Sequence, residues 1–236
     1  MIQFISNRLN FKNKKVLLRV DYNVEIKNNK IVDDFRIRKS LKTINFLKNK
    51  ARIIILMSHL GNPKEFDEKF SLKPVANNLS KILNRKIYFI TDFENSRKII
   101  DSLPKGSIVL LENLRFYKGE KQNSKSFAEK LANLGDIYIN DAFSVSHRKN
   151  ASVCKITEFL PSYGGLLLKD ELENLEKIKN NFKKPFVVIL GGAKLKDKLP
   201  LIKNFLKTSD YILIGGGMAN TFLKSQNIEI GRSLVD

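Results

Sequence analysis

The sequence predicts an α/β protein with mostly parallel sheets, and three observations support this. Short apolar runs alternate along the chain with stretches in which apolar residues recur at helical spacing. Polar and charged residues follow the ends of these runs one after another. A Pro-Gly segment at 160–165, followed by a charged helical stretch, predicts a boundary between two lobes.

The strands of the first lobe are predicted from short apolar runs. These runs are Val16–Val20, Ala51–Met57, Lys86–Ile90, Ser107–Leu111 and Ile137–Ile139. Continuous apolar runs of this length are typical of parallel strands that are buried on both faces. We therefore expect helices to cover both sides of the sheet.

Helices are predicted between these strands from apolar spacing and from residues that begin or end helices. The first spans about 37–47. The next begins after Ser71, the expected N-cap, and carries Pro74 in its first turn, where proline is tolerated. A third includes residues 127–134, and Gly135 closes it.

The second lobe is predicted to begin with the run Phe186–Leu190, a strand buried on both faces. Gly191 and Gly192 follow, and Lys194 and Lys198 are expected on one face of a helix that opens there. A strand, a glycine turn and a helix N-terminus with lysines can hold phosphate. The alternative is an ordinary strand-to-helix turn with solvated lysines, since no Walker pattern closes it.

Two further elements complete the predicted order. A helix from about Leu167 to Ile178 precedes the second lobe and connects it to the first. A last strand, Tyr211–Ile214, ends at Gly215–Gly217. Because this strand also ends at glycines, the second lobe has two glycine loops at the same kind of position.

The formal net charge is +19 over 236 residues, which could indicate nucleic acid, an anionic membrane or phosphorylated substrates. The excess is mostly lysine, spread evenly and interleaved with asparagine, without an arginine-rich block. This indicates a compositional bias, so we expect no specific nucleic-acid or membrane partner. The single Cys154, interpreted as a small core residue, excludes an internal disulfide and favours a cytoplasmic location.

Several polar residues stand just past the carboxyl ends of the predicted strands. They are Asp21, Asn23, His59, Asn113, Arg115, Asp141 and Lys194. In open α/β sheets, ligands bind at that edge. One such residue would carry little weight, since strands generally stop at polar residues, but a set with His, Arg and Lys predicts a binding site.

Three arginines of the first lobe favour an anionic ligand. They are Arg36, Arg115 and Arg148, which follow three different strands. The planar fork of arginine makes two hydrogen bonds to an anion at once. With His59 they would form a site for a small acid that carries phosphate, in which Asp21 and Asn23 orient a hydroxyl. The alternative is a set of ordinary surface arginines.

Other chemistry is less well supported by the sequence. His59 could be a structural histidine, and two histidines without a Cys or carboxylate cluster do not favour zinc. Glu112 and Asp141 could be an acid/base pair, but we expect each to accept hydrogen bonds from loop amides instead. No nucleophile-elbow pattern supports a serine hydrolase.

Short motifs in chain order carry a resemblance to one family. They are Arg19–Val24, Asp33–Ile37, Ser58–Pro63, Leu111–Phe116, Asn140–Phe143 with His147–Arg148, Gly191–Lys194 with Asp197–Lys198, and Gly215–Ala219. Together they resemble phosphoglycerate kinase over nearly the whole chain, from Val16 to Asp236. Several separate motifs in the family's order make this resemblance specific.

The resemblance implies two Rossmann-like lobes with mostly parallel sheets sandwiched by helices, the second lobe being incomplete. It implies a phosphoglycerate-binding lobe at 1–165, an interdomain helix at 166–182 and the beginning of a nucleotide-binding lobe at 183–236. The implied enzyme is a glycolytic kinase, expected to be a monomer. It reversibly transfers the acyl phosphate of 1,3-bisphosphoglycerate to Mg-ADP, giving 3-phosphoglycerate and ATP.

By motif match, the resemblance assigns substrate binding to Asp21, Asn23, Arg36, His59, Arg115 and Arg148. It assigns nucleotide binding to Gly191, Gly192, Lys194, Lys198, Gly215 and Gly216. Arg36 and Lys194 are the implied catalytic residues, which together with Mg²⁺ offset charge on the transferring phosphoryl group. Hinge closure is implied to bring the substrates in line and to expel water.

The chain departs from the family pattern in two residues and in length. Asn62 replaces a usual arginine and Asn150 a usual histidine, so restoring arginine at Asn62 is expected to lower the KM for phosphoglycerate. Family members continue well beyond Asp236, and the metal-carrying carboxylate is expected in that further part. We therefore expect a partial sequence that alone is inactive or poorly active. A non-catalytic 3-phosphoglycerate-binding module and, less well supported, a basic nucleic-acid-binding domain are the alternatives.

Overall fold

The computed structural model describes residues 2–180 and 182–236, and the chain forms two compact units. The first unit spans Met1–Glu173 and the second Asn174–Asp236. The division falls inside the helix predicted to connect two lobes, and Asn181 of that predicted segment lies outside the described residues. The lobe boundaries inferred from the sequence stay a prediction.

The first unit is built on a six-stranded parallel sheet with the order β5-β6-β4-β1-β7-β8. The six strands of this sheet are β1 (Lys15–Arg19), β4 (Ile53–Met57), β5 (Ile87–Ile90), β6 (Ser107–Leu111), β7 (Ile137–Asn140) and β8 (Ser162–Gly164). A separate antiparallel hairpin consists of β2 (Ile26–Lys27) and β3 (Lys30–Ile31). The predicted α/β class with a mostly parallel sheet is therefore confirmed.

The central strands are buried on both faces, as the apolar runs predict. Side chains alternate across a strand, so Val16 and Leu18 of β1 pack in one apolar cluster and Leu17 packs in another. All residues of β4 and of β6 are buried. Such burial of both faces requires a strand to have neighbours on each side and helices above and below.

The helices of the first unit lie between these strands in sequence. They are α1 (Phe35–Leu47), α2 (Lys73–Leu83), α3 (Ser96–Ser102), α4 (Lys118–Lys121), α5 (Lys125–Ala132) and α6 (Leu166–Asn180), the last crossing into the second unit. Short 3₁₀ turns occupy Glu68–Phe70, Leu114–Phe116, Phe143–Val145 and Lys155–Glu158. None of the helices in the described part of the chain is both long and apolar enough to cross a membrane.

The sequence prediction was wrong or incomplete for some elements of the first unit. Ser71 is not the N-cap of α2, because Leu72 takes that position and the Ser71 hydroxyl donates to Glu112. The short helix α3 and the edge strand β8 were not predicted. Pro161 precedes β8, and proline next to glycines normally indicates a turn, although proline is compatible with the start of an edge strand.

The second unit contains a parallel pair of strands, β9 (Val187–Gly191) and β10 (Tyr211–Gly215), with α7 (Leu199–Phe205) and α8 (Gly217–Ser225). The prediction that the strand after Phe186 is buried on both faces is wrong. Val188 is buried, but 76% of Ile189 is exposed, because no helix covers that face among the described residues. A two-stranded sheet buries one face at most.

The prediction that a helix opens at Lys194 is also wrong. Lys194 lies in a loop, Lys196–Lys198 forms a 3₁₀ turn, and α7 begins only at Leu199. Pro200 is the reason, since proline suits the first turn of a helix and not its interior. The two lysines Lys194 and Lys198 therefore do not share a helical face.

Candidate functional site

The polar residues predicted at the strand ends gather at one edge of the first sheet. Strands β1, β4, β6 and β7 are parallel, and each pairs with a neighbour from this set. Their carboxyl ends therefore lie along the same edge. The residues that follow them are Asp21, Asn23, His59, Asn113, Arg115 and Asp141.

Asp21 and Asn23 are held in a network at this edge. The Asp21 carboxylate accepts hydrogen bonds from the Arg36 guanidinium, from the Ser144 hydroxyl and from the backbone N–H of Asn23 at 3.0 Å. The Asn23 side-chain oxygen accepts from the backbone N–H of Gly61 at 2.8 Å. These bonds fix the loops after β1 and β4 relative to the N-terminus of α1.

His59 lies under a group of arginines. The residue is 2% exposed, and its Nδ1 lies 3.2 Å from Nη2 of Arg19. Burial, together with the positive charges of Arg19, Arg115, Arg148 and Arg36, lowers the pKa of His59 to about 2. The imidazole is therefore neutral, and four guanidinium groups concentrate positive charge around it.

The arginines around His59 differ in how much of them can reach a ligand. Arg115 is buried, its Nη1 donates to the Gly61 carbonyl, and burial together with Arg148 and Arg19 lowers its pKa. It stays charged at neutral pH, as arginine does in proteins. Arg36 keeps about half of its side chain exposed, and Arg148 lies on an exposed loop. These two are the most accessible to an anion.

A cavity of about 460 Å³ opens beside Asp21 and Arg36. Lys39, Phe143 and Ser144 also line it. Lys39 is a cation that the sequence reasoning did not include, although it follows Arg36 by three residues, the spacing that places two side chains on one face of a helix. The cavity is large enough for a small phosphorylated acid.

Glu112 and Asp141 accept hydrogen bonds from loop and helix amides. This confirms the expectation from the sequence that backbone amides donate to both carboxylates. Glu112 accepts from the N–H groups of Leu72 at 2.9 Å and of Asn113 at 2.7 Å. Asp141 Oδ1 accepts from the N–H groups at the start of α6, those of Leu167 at 2.9 Å and Leu168 at 3.0 Å, and burial raises its pKa. Both oxygens of Glu112 accept hydrogen bonds, whereas Asp141 Oδ2 is buried without a hydrogen-bond partner among the described residues.

The second unit brings two glycine loops together at the carboxyl ends of β9 and β10. Gly192 and Gly216 have φ angles of 139° and 66°, which favour glycine. A Cβ on Gly216 would lie 3.4 Å from the Gly192 backbone, an ordinary van der Waals contact, so the backbone angle and not crowding favours glycine there. The Gly192 carbonyl accepts from the N–H of Met218 at 2.9 Å.

Among the predicted nucleotide-site residues, Lys198 is ordered by its contact with Gly191, whose carbonyl accepts from Nζ. The remaining predicted residues of this unit also lie at the same edge, with Gly215 and Gly216 before the first turn of α8. Free N–H groups at a helix start can bind phosphate oxygens. Lys194 is exposed in the loop between Gly192 and the 3₁₀ turn.

Comparison with known proteins identifies the family. The sequence model of phosphoglycerate kinase matches residues 6–236. The chain belongs to the phosphoglycerate kinase family.

Individual relatives agree with this family. The phosphoglycerate kinase of Wolbachia sp. subsp. Drosophila simulans (strain wRi) is 49% identical over 223 residues, which cover 94% of this chain and 56% of the relative. The chain thus spans little more than half the length of this relative.

Solved structures of the family are similar as well. Phosphoglycerate kinase from Coxiella burnetii matches with a TM-score of 0.84 and 41% identity, over 100% of this chain and 60% of the other. The enzyme from Pyrococcus horikoshii OT3 matches with a TM-score of 0.87 and 32% identity, over 98% of this chain and 59% of the other.

The two departures from the phosphoglycerate kinase pattern lie in different surroundings. Asn62, at the position of the usual arginine, is exposed next to Gly61. Asn150, at the position of the usual histidine, is partly buried, and its Nδ2 donates to the Glu120 carbonyl at 3.2 Å. Asn150 thus has a structural contact, whereas Asn62 leaves room for a longer side chain.

The phosphoglycerate kinase family implies a nucleotide substrate, typically with Mg²⁺. Within residues 2–180 and 182–236, no group of three His, Cys, Asp or Glu side chains could hold a metal. Mg²⁺ is often bound mainly through substrate phosphates and one or two carboxylates. A magnesium ion would therefore depend here on the phosphates of a bound nucleotide.

Sequence reasoning missed three buried polar residues next to the site: Arg19, Glu120 and Ser152. Arg19 ends the apolar run of β1 and is 1% exposed. An arginine at the end of a buried strand is unusual and was a usable signal, since such residues are almost never fully buried unless paired. Glu120 and Ser152 gave no comparable signal, because each stands among other polar residues.

Proposed function

We propose that the protein is a phosphoglycerate kinase whose first unit binds 3-phosphoglycerate and 1,3-bisphosphoglycerate. The observation that carries this proposal is that the guanidinium groups of Arg36, Arg115 and Arg148 all act on the neutral, buried His59 at the carboxyl edge of the first sheet. A small molecule with a carboxylate and a phosphate needs several forked donors in one place. The cavity of about 460 Å³ that Asp21 and Arg36 line has room for it.

Within this site, each side chain has a proposed role that suits its chemistry. Arg36, Arg115 and Arg148 pair with the phosphate and carboxylate oxygens of the substrate. The Asp21 carboxylate and the Asn23 amide orient its hydroxyl. His59 donates one N–H without adding charge, since its pKa lies far below neutrality.

In the second unit, we propose that the glycine loops and lysines bind ADP or ATP as a magnesium complex. Gly191, Gly192, Gly215 and Gly216 allow close approach of the nucleotide to the backbone. Lys198 contacts the phosphates, and Lys194 reaches the group that is transferred. When the nucleotide binds, Lys198 replaces its contact with the Gly191 carbonyl by contacts with phosphate oxygens.

The proposed reaction is a direct phosphoryl transfer. An oxygen of the ADP β-phosphate attacks the acyl phosphorus, the bond from phosphorus to the carboxyl oxygen breaks, and 3-phosphoglycerate leaves as a carboxylate. Arg36 and Lys194 offset the charge on the transferring group, which needs positioning and electrostatic stabilisation more than covalent chemistry. The proposal includes hinge bending that excludes water, a cytoplasmic location and a monomeric state.

Calorimetric titration of the chain with 3-phosphoglycerate tests the substrate site. We expect saturable binding that Arg148→Ala weakens about tenfold, the loss of one charge-assisted hydrogen bond. The matched control is Arg97→Ala, which removes an exposed arginine on α3 and should leave the affinity unchanged. No binding by the parent chain, or equal losses in both variants, would contradict the proposal.

Turnover and nucleic-acid binding distinguish the alternatives. Coupled NADH oxidation measures phosphoglycerate kinase activity, and Lys194→Ala should abolish whatever activity the chain has. Binding of 3-phosphoglycerate without turnover would favour a non-catalytic binding module. Binding to random duplex DNA, titrated with salt, tests a nucleic-acid role, which is rejected if the affinity is that of any polycation.

A further inference from the structure

Arg19 uses its donors entirely inside the first unit. Its Nε donates to the Ser152 hydroxyl oxygen at 2.9 Å, and its Nη1 donates to the Val20 carbonyl. Its Nη2 lies 3.2 Å from Nδ1 of His59. Because these three nitrogens already face acceptors inside the unit, Arg19 does not offer them to a ligand in this arrangement.

Ser152 links Arg19 to a second buried charge. The Ser152 hydroxyl lies 2.6 Å from Glu120 Oε1, and the Ser152 N–H donates to Glu120 Oε2 at 2.9 Å. A carboxylate accepts, so the hydroxyl proton points to Glu120 and the serine lone pairs face Arg19. Tyr138 holds the same segment by donating to the Ser152 carbonyl at 2.7 Å. Donor and acceptor roles are thus fixed along the chain of contacts.

These donor and acceptor roles determine which ring nitrogen of His59 carries the proton. A guanidinium has no acceptor, so the His59 nitrogen that faces Arg19 must accept. Nδ1 is then unprotonated, and the proton of the neutral ring is on Nε2. The tautomer of a histidine is set by the partner of its other nitrogen, and here that partner is Arg19.

We propose that Glu120, Ser152 and Arg19 are positioning residues that hold His59 as the neutral Nε2–H tautomer, which gives the phosphorylated acid a single directed N–H donor. The proposal rests on the function proposed above only for the nature of this ligand. The tautomer itself is a property of the free chain.

The charges around His59 agree with this arrangement. Arg19 comes from β1, Arg36 from α1, Arg115 from the 3₁₀ turn Leu114–Phe116, and Arg148 from the loop after β7. All four act against protonation of the imidazole. The arginines therefore provide positive charge, while His59 provides one N–H donor with a fixed orientation. The buried Glu120 compensates the charge of Arg19.

Nitrogen NMR tests the tautomer directly. His59 and His147 are the two histidines, so ¹⁵N-histidine labelling of a His147→Gln chain leaves His59 as the only labelled ring. At neutral pH, long-range proton–nitrogen correlations should show Nδ1 as an unprotonated nitrogen and Nε2 as a protonated one. A protonated Nδ1, or a doubly protonated ring, would overturn the proposal without any variant.

Variants test the positioning residues. Ser152→Ala and Glu120→Gln should each lower the ratio of the Nε2–H to the Nδ1–H tautomer at least tenfold. Glu129→Gln, an exposed carboxylate on α5, is the matched control and should leave the ratio unchanged. Ser152→Thr keeps the hydroxyl and should restore the parent ratio. If Glu120→Gln does not fold, the Ala and Thr variants at Ser152 decide, and an unchanged ratio in Ser152→Ala overturns the proposal.

Titration with 3-phosphoglycerate separates this proposal from the proposed function. A chain with the expected tautomer that binds no 3-phosphoglycerate supports the positioning residues and contradicts the function. A chain that binds 3-phosphoglycerate with His59 in the other tautomer does the reverse. A merely structural role for Ser152 would change stability and leave the tautomer ratio as it is.

Discussion

Ile55 in the first unit and Ile189 in the second occupy parallel strands with similar apolar sequences, yet their surroundings differ completely. Ile55 is fully buried in β4, whereas 76% of Ile189 in β9 is exposed. β4 has β1 on one side and β6 on the other, while β9 pairs with β10 alone in the described sheet. The burial of a strand is therefore decided by its neighbours and not by its own residues.

Alanine substitution at these two positions tests whether Ile55 and Ile189 contribute differently to stability. Ile55→Ala should lower the free energy of unfolding of the first unit by about 2–5 kcal/mol, since it removes buried methylene groups and leaves a cavity. Ile189→Ala should change the stability of the second unit by less than about 0.5 kcal/mol, as exposed substitutions do. Hydrogen exchange of the β4 and β9 amides reads each unit separately, and equal effects would contradict the comparison.

A buried imidazole should give the first unit a pH dependence of its own. The pKa of His59 is lowered to about 2 in the folded chain, whereas an unfolded chain takes up the proton near pH 6.5. The free energy of unfolding of the first unit is therefore unaffected by His59 above pH 6.5. Below pH 6.5 the buried, neutral His59 lowers it by about 1.4 kcal/mol per pH unit.

Between pH 6.5 and 5 this amounts to about 2 kcal/mol in the first unit. The measurement is denaturant unfolding at several pH values, and His59→Gln is the variant that should lose this slope. The stability of the second unit, measured by hydrogen exchange of the β9 amides, should not show this pH dependence. A slope that persists in His59→Gln would show that another group is responsible.

The smallest expected effect concerns the charge at the edge of the first sheet. Asn62→Arg adds a cation next to Gly61 and should lower the KM and the Kd for 3-phosphoglycerate about two- to fivefold, the size expected of an exposed ion pair. Asn204→Arg adds the same charge to an exposed position of α7 in the second unit. Its effect on 3-phosphoglycerate should be absent, and equal effects would indicate general charge attraction.

The parts of the fold that depend on local pattern could be predicted from the sequence. The apolar runs located β1, β4, β5, β6 and β7 within one or two residues at each end. The residues after those strands fell at one edge, because parallel strands share their direction. His59 and Arg115 therefore came together in the structure as the strand ends predicted.

The rest depends on contacts between distant residues, which no local pattern records. The hydrogen bond between Arg19 and Ser152 joins residues 133 positions apart, and the one between Ser71 and Glu112 joins residues 41 apart. Ser71, the expected N-cap of α2, makes the second of these bonds, and Leu72 takes the N-cap position. In contrast, Pro200 is a local signal for the start of α7 that the prediction of a helix at Lys194 did not use, since proline favours the first helical turn.

The exposed face of the second sheet has a consequence for the behaviour of the chain in solution. Val187, Ile189, Tyr211 and Leu213 present apolar side chains to solvent on neighbouring strands. A net charge of +19 keeps two copies apart while the Debye length is about 30 Å, near 0.01 M salt. At about 1 M salt that length falls to about 3 Å, and the repulsion no longer reaches across a protein. Ionic strength therefore controls the colloidal stability of this chain, with association favoured in concentrated salt.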